Sequence, residues 1–189
     1  MCSWCWGFQP VWQQLKKHLS TQLSNKLEVV YVVGGLAADS SAPMPKEMQQ
    51  ALAGTWKRIQ QHIPGIQFND AFWADASTTK PRRSTYLSCR AVLAAKLQNP
   101  KLEQSMILGI QKAYYLNAQN PSNLDVLIDV ATHIGLHPQQ FSQDINSQAI
   151  ETQLQQQLLL ARTLSAQGFP SLVLSAKGQK QAIPRDYNH

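Results

Sequence analysis

Apolar residues recur every four positions at Val11, Leu15, Leu19 and Leu23. That single stripe predicts a helix ending near Leu23. The pattern then changes. Lys26-Leu27-Glu28-Val29-Val30-Tyr31-Val32-Val33 is rich in β-branched and aromatic residues and is closed by Gly34-Gly35. Its nearly continuous apolar run predicts an interior strand. Small residues with Asp39, Pro43 and Pro45 predict a loop over residues 36–45.

From Pro45 to about Ala166 the period is helical. Met48, Leu52, Ile59 and Ile63 share a side, with Gly65 as the stop. Phe68, Phe72 and Trp73 mark a short aromatic segment, followed by a loop over residues 74–80. Tyr86, Cys89, Leu93 and Leu97 form the next stripe, ended by Asn99-Pro100, and Leu102, Met106, Ile110 and Ala113 carry the pattern to about Asn117. Ser122 or Asn123 caps a helix bearing Leu124, Leu127, Ile128 and Ala131, which ends before Gly135. Pro138 opens a short helix with Phe141 and Ile145, and Ile150, Leu154, Leu158 and Ala161 form the last stripe before Gly168. Phe169-Pro170-Ser171-Leu172-Val173-Leu174 then predicts a strand entered through a proline, with Lys177-Gly178 as the turn and Gln181 to Ile183 returning. Helix, strand, helical block and hairpin in that order predict a small sheet interrupted by an insertion. No internal repeat recurs at a fixed period.

Composition narrows the function classes. A chain of 189 residues with 43% apolar residues can build one core, or one domain carrying a large insertion. The net charge of +6 is scattered. Lys16-Lys17 and Lys80-Pro81-Arg82-Arg83 are its only clusters, which reads as a solvated surface rather than a nucleic-acid interface. No apolar run approaches the ~20 residues of a membrane span.

The chemistry concentrates in Met1-Cys2-Ser3-Trp4-Cys5-Trp6-Gly7-Phe8. Cys2 stands at or just before a helix N-terminus, where free N–H groups and the positive end of the helix dipole favour an anion. A thiolate is such an anion, so the Cys2 pKa is expected in the range of roughly 3.5–7.5 found for activated CxxC thiols. Cys5 lies one turn deeper and can close a disulfide back to Cys2, giving a reversible dithiol in which Cys2 attacks and Cys5 resolves. The same spacing also serves zinc knuckles, which need a second ligand pair. Cys89 is alone, and Gly135 and Pro138 interrupt any helix that would place His133 and His137 on one face, so no metal is expected. Cys89 lies on an apolar stripe and reads as a buried, unreactive thiol. At Phe169-Pro170 two readings stand: a cis bond turning a strand end toward the CxxC, or a trans proline at the first residue of a strand.

Cys2-Ser3-Trp4-Cys5, together with Gly168-Phe169-Pro170-Ser171-Leu172-Val173-Leu174, closely resembles the DsbA-like thioredoxin-fold proteins. The branch it looks most like is the FrnE-like group related to 2-hydroxychromene-2-carboxylate isomerases and kappa-class glutathione transferases. Gly34-Gly35-Leu36 and Ser88-Cys89-Arg90-Ala91-Val92-Leu93-Ala94-Ala95 look like the same branch. The resemblance implies an α/β thioredoxin-like fold, with residues 1–40 and 167–189 as the thioredoxin-like portion and 41–166 as an inserted all-helical domain. It also implies a strand before the CxxC and a helix after the hairpin, neither of which the given chain contains. By resemblance, Cys2 is the nucleophile, Cys5 the resolving thiol and Pro170 a cis-proline facing them. Ser3 and Trp4 form the dipeptide that tunes redox poise, and Phe169 precedes the proline. Trp6, Gly35, Arg83 and Arg90 are candidate substrate contacts.

The expected activity is thiol–disulfide exchange on a disulfide-containing protein or a small thiol in the cytoplasm. No bound cofactor beyond the redox-active disulfide is expected, with glutathione as a possible reductant or substrate. Two alternatives are a glutathione-binding isomerase or transferase, whose family members usually carry serine where Cys2 stands, and a non-enzymatic binding or chaperone-like module with an inert or zinc-bound cysteine pair.

Overall fold

A computed structural model describes residues 1–23, 26–164 and 168–187. The CxxC opens the first element. Helix α1 (Ser3–Gly7) begins directly after Cys2, which is its N-cap at φ −106° and ψ 118°. The Cys2 carbonyl accepts from the N–H groups of Cys5 and Trp6 at 3.1 and 3.3 Å. The predicted single helix is two. Pro10 has no N–H to continue the ladder, so α1 closes at Gly7 and α2 (Gln9–Gln22) starts anew with a proline in its first turn.

The strand expected over residues 26–33 is not formed. The segment has no regular secondary structure and no ladder partner among the described residues. A strand needs a neighbour to bond its alternating N–H and C=O groups. Here the Val33 N–H goes instead to the Gln157 side chain at 2.8 Å, and the Trp12 indole donates to the Tyr31 hydroxyl at 3.1 Å. Leu27, Val29 and Val30 are consequently exposed, Val30 at 60%.

Helix α3 (Lys46–His62) follows a Pro45 N-cap. Two one-turn helices, α4 (Ala71–Ala74) and α5 (Ala76–Thr79), come next. The second replaces part of the expected 74–80 loop, because the Asp75 carboxylate accepts from the N–H groups of Ser77 and Thr78 and caps it. Helices α6 (Tyr86–Gln98), α7 (Glu103–Tyr115), α8 (Leu124–His133), α9 (Pro138–Asp144) and α10 (Gln148–Thr163) complete the block. Asn123 is the N-cap of α8, while the Ser122 hydroxyl is spent on the Ser84 carbonyl at 2.9 Å. Strands β1 (Leu172–Ala176) and β2 (Gln179–Ile183) form the predicted antiparallel hairpin, with Leu172 opposite Ile183. Among the described residues they are the only sheet. The expected boundary between the helical block and the hairpin portion, at 166/167, lies outside the described residues.

Two apolar cores hold the molecule. The larger joins α6 through α10 around Met106, Leu127, Phe141, Ile145, Ile150 and Leu154, all fully buried. The smaller is aromatic. Trp6 of α1 meets Trp56 of α3, Phe72 of α4, and Tyr114 and Tyr115 of α7. This second core attaches the dithiol helix to the helical block.

Candidate active site

Cys2, Cys5 and Cys89 line one cavity of about 350 Å³. Phe169, Pro170, Gly35 and residues 29–33 share its wall. The Phe169–Pro170 peptide bond is cis. The Cys2 thiol donates to the Phe169 carbonyl at 3.2 Å. Two glycines permit close packing at this wall, Gly34 against Phe169 and Gly35 against α6 and α10. A Cβ on Gly34 would stand 2.0 Å from the Phe169 ring, and one on Gly35, at φ +54°, would meet Leu158 and Tyr86 below 3 Å.

The two thiols of the motif differ in acidity. The hydrogen bond from Cys5 holds the Cys2 pKa down to about 7, against the opposing effect of burial, and the Cys5 and Trp4 backbone N–H groups help. Cys5 is pushed well above the ordinary thiol range, first because its proton is committed to Cys2 and then by burial. One thiol is thus ready to ionise and the other keeps its proton. Burial also raises Cys89, which packs against the larger core. Its place in the same cavity as the CxxC is not evident from a helical stripe, because the cavity forms only when α6 meets the 29–36 segment.

Ser3 accepts a hydrogen bond from the Trp56 indole at 3.0 Å. Trp4 is half-buried between His62 and Tyr187, with ring centroids 6.1 and 5.1 Å away. Trp6 is buried. Its indole N–H donates to the Gln67 carbonyl at 2.9 Å, and its ring stacks on Tyr115. Arg90 pairs with Asp39 at 2.7 Å and Glu151 at 3.2 Å, and Arg83 contacts Met48 sulfur at 3.7 Å. Neither arginine is part of the cavity wall.

Four groups near the dithiol escape the sequence pattern. Trp56 and Tyr115 come from helices far along the chain. Arg185 donates to the Pro170 carbonyl and favours ionisation of Cys5, and Tyr187 packs edge-on against Trp4 and Phe8. Trp56 falls on the Met48–Leu52 stripe, one turn on from Leu52, which was its only signal. Among the described residues no three His, Cys, Asp or Glu side chains come together in a metal-holding group. No described helix is long and apolar enough to cross a membrane.

The chain is similar to the ClpXP adapter protein SpxH of Halalkalibacterium halodurans, at 25% identity over 177 residues that cover 92% of this chain and 55% of the relative. The SpxH of Bacillus subtilis matches at 23% over 172 residues, 91% and 54% of the two chains. The chain spans about half the length of the curated relatives it matches. Among solved structures, a Nitrosomonas europaea protein proposed to be a protein disulfide isomerase superposes with a TM-score of 0.81, at 23% identity over 97% of this chain and 84% of that one. The cytosolic disulfide reductase DsbM of Pseudomonas aeruginosa superposes at 0.74, with 23% identity over 97% and 85%. The same reductase solved with GSH superposes at 0.73, with 21% identity over 97% and 85%. These superpositions establish a common fold, in which a helical block interrupts a thioredoxin-like portion in the DsbA-like manner. A family model described as Thioredoxin matches residues 1–183, from the CxxC through the end of the hairpin, and the chain belongs to that family.

Proposed function

We propose that this chain is a thiol–disulfide oxidoreductase working through Cys2 and Cys5. The observation that carries the reading is the opposed acidity of the pair, with Cys2 near 7 and Cys5 pushed up beside it in one cavity. The Cys2 thiolate attacks one sulfur of a substrate disulfide, and the other sulfur leaves as a thiolate that takes up a proton. Cys5 then loses its proton and attacks Cys2 sulfur, which breaks the mixed disulfide. The substrate leaves as two thiols, and Cys2–Cys5 holds the disulfide. Two electrons and two protons have passed to the substrate. Run backward, the same steps oxidise a dithiol.

The fold shared with a cytosolic disulfide reductase supports this reading and a cytoplasmic setting. Its GSH-bound form makes glutathione the first small thiol to test as reductant or substrate. The test is reduction of insulin and of glutathione disulfide by the wild type and by Cys2→Ser. Loss of turnover in the variant is expected, and unchanged turnover rejects the reading.

A second reading rests on the SpxH relatives, which are adapter proteins. Under it the chain binds a protein partner and the dithiol is dispensable. Partner capture that is equal in wild type and Cys2→Ser, with no disulfide turnover in either, supports the adapter reading over the oxidoreductase.

A further inference from the structure

Ser3 lies inside the motif, between the two cysteines, yet its side chain is held from outside the thioredoxin portion. The Trp56 indole N–H of α3 reaches its hydroxyl oxygen at 3.0 Å. Trp56 is itself immobilised. It is 0% exposed and touches Phe68, Phe72, Trp73, Tyr114 and Tyr115 at ring-centroid distances between 4.9 and 6.1 Å. Tyr115 of α7 packs edge-on against the Trp56 ring. Its hydroxyl is buried and makes no hydrogen bond of full geometry. Burial raises its pKa first, both motif thiols add to that, and Ser3 is the side chain whose interaction favours its ionisation.

Ser3 is the first residue of α1 and directly precedes Trp4. The N–H groups of Trp4 and Cys5 favour the Cys2 thiolate, and the Cys5 N–H is held in this first turn by the Cys2 carbonyl at 3.1 Å. Their aim depends on the orientation of the Ser3–Trp4 and Trp4–Cys5 peptides. We propose that Trp56 is a positioning residue for the dithiol. By fixing the Ser3 hydroxyl, its indole N–H holds the first turn of α1 in place against Cys2, so the inserted helices help set how readily Cys2 ionises. Because the Ser3 oxygen is occupied as an acceptor, its proton is free to turn toward Tyr115, which extends the link from α3 to α7. The inference rests on the dithiol reading and specifies what regulates that site.

The test is the pH profile of Cys2 alkylation, read by peptide mass, in wild type, Ser3→Ala, Trp56→Phe and the double variant, alongside each protein's equilibrium with glutathione. Losing one hydrogen bond's worth of positioning is expected to lower Cys2 reactivity near neutral pH by about three- to tenfold in each single variant. It is also expected to make the Cys2–Cys5 disulfide correspondingly less oxidising. The double variant should match the singles, because both remove the same contact. An unchanged Cys2 profile in Ser3→Ala overturns the inference even if Trp56→Phe fails to fold, since Ser3 is half-buried and its loss removes no ring from the core, at the cost of one unpaired indole N–H. So does a double variant whose effect is the sum of the two singles. If wild-type Cys2 itself titrates as an ordinary thiol, the dithiol reading fails instead, which separates the two failures.

Discussion

Cys2 and Phe169, 167 positions apart, meet where the Cys2 thiol donates to the Phe169 carbonyl at 3.2 Å. This contact brings the start of the chain to the entrance of the hairpin and puts a protonated Cys2 against a backbone acceptor. On ionisation that donor is lost, while the Cys5 thiol and the Cys5 and Trp4 N–H groups favour the anion. The thiolate is the reactive form, so alkylation at Cys2 should rise with pH through about 7 and fall to about a tenth of its plateau one unit below. Cys5 and Cys89, both shifted upward, should stay unmodified at neutral pH. Peptide mass mapping after a short iodoacetamide pulse checks all three, and labelling of Cys89 ahead of Cys2 contradicts the assignment.

Gly34 is the second contact that shapes this entrance. A methyl group there would occupy the space of the Phe169 ring, 2.0 Å from two of its carbons. Gly34→Ala should therefore move Phe169 and lose the carbonyl from Cys2. We expect a destabilisation of about 1–3 kcal/mol and an altered Cys2 profile. Denaturant unfolding and alkylation, run on the same sample, test the pair. A variant with wild-type stability would mean that the ring moves without cost.

Arg90 lies at the junction of the 36–45 loop, α6 and α10. It is 14% exposed and bridges Asp39 and Glu151. Asp39 also accepts from the Ser84 hydroxyl at 3.2 Å. Arg90→Ala should lower stability by about 1–2 kcal/mol, discounted because both carboxylates are partly solvated. If Arg90 is structural, the KM for glutathione disulfide should hold while the melting temperature falls. A raised KM at unchanged melting temperature would return Arg90 to the substrate-contact role for which the sequence makes it a candidate.

The helical block was legible because each stripe recurs at the helical period and ends at Gly or Pro. Met106, Ile110, Leu127, Phe141, Ile150 and Leu154 all lie on predicted stripes and all are buried. The hairpin was legible from Lys177-Gly178. Residues 26–33 misled, because β-branched composition reports a preference for an extended backbone and not the presence of a partner strand. At the site, a motif four residues long made Cys2 and Cys5 readable. Trp56, Tyr115 and Tyr187 were not, because they act across 50 or more positions and nothing local marks a side chain that approaches a distant turn.

Phe141 offers a test of whether stability and dithiol chemistry can be separated. It is 0% exposed in the larger core, whereas Trp56 and Tyr115 belong to the aromatic core beneath the motif. Phe141→Ala removes a ring from the α6–α10 packing without touching α1 and should cost about 3–5 kcal/mol. In the molecules that remain folded, Cys2 should keep its wild-type alkylation midpoint, because no donor to its sulfur has moved. Unfolding by urea reads the first effect, and alkylation at low temperature in the absence of denaturant reads the second. If the midpoint shifts upward with lost stability, Cys2 acidity follows the tightness of the whole block. A fixed midpoint locates its control in the contacts of the dithiol turn itself.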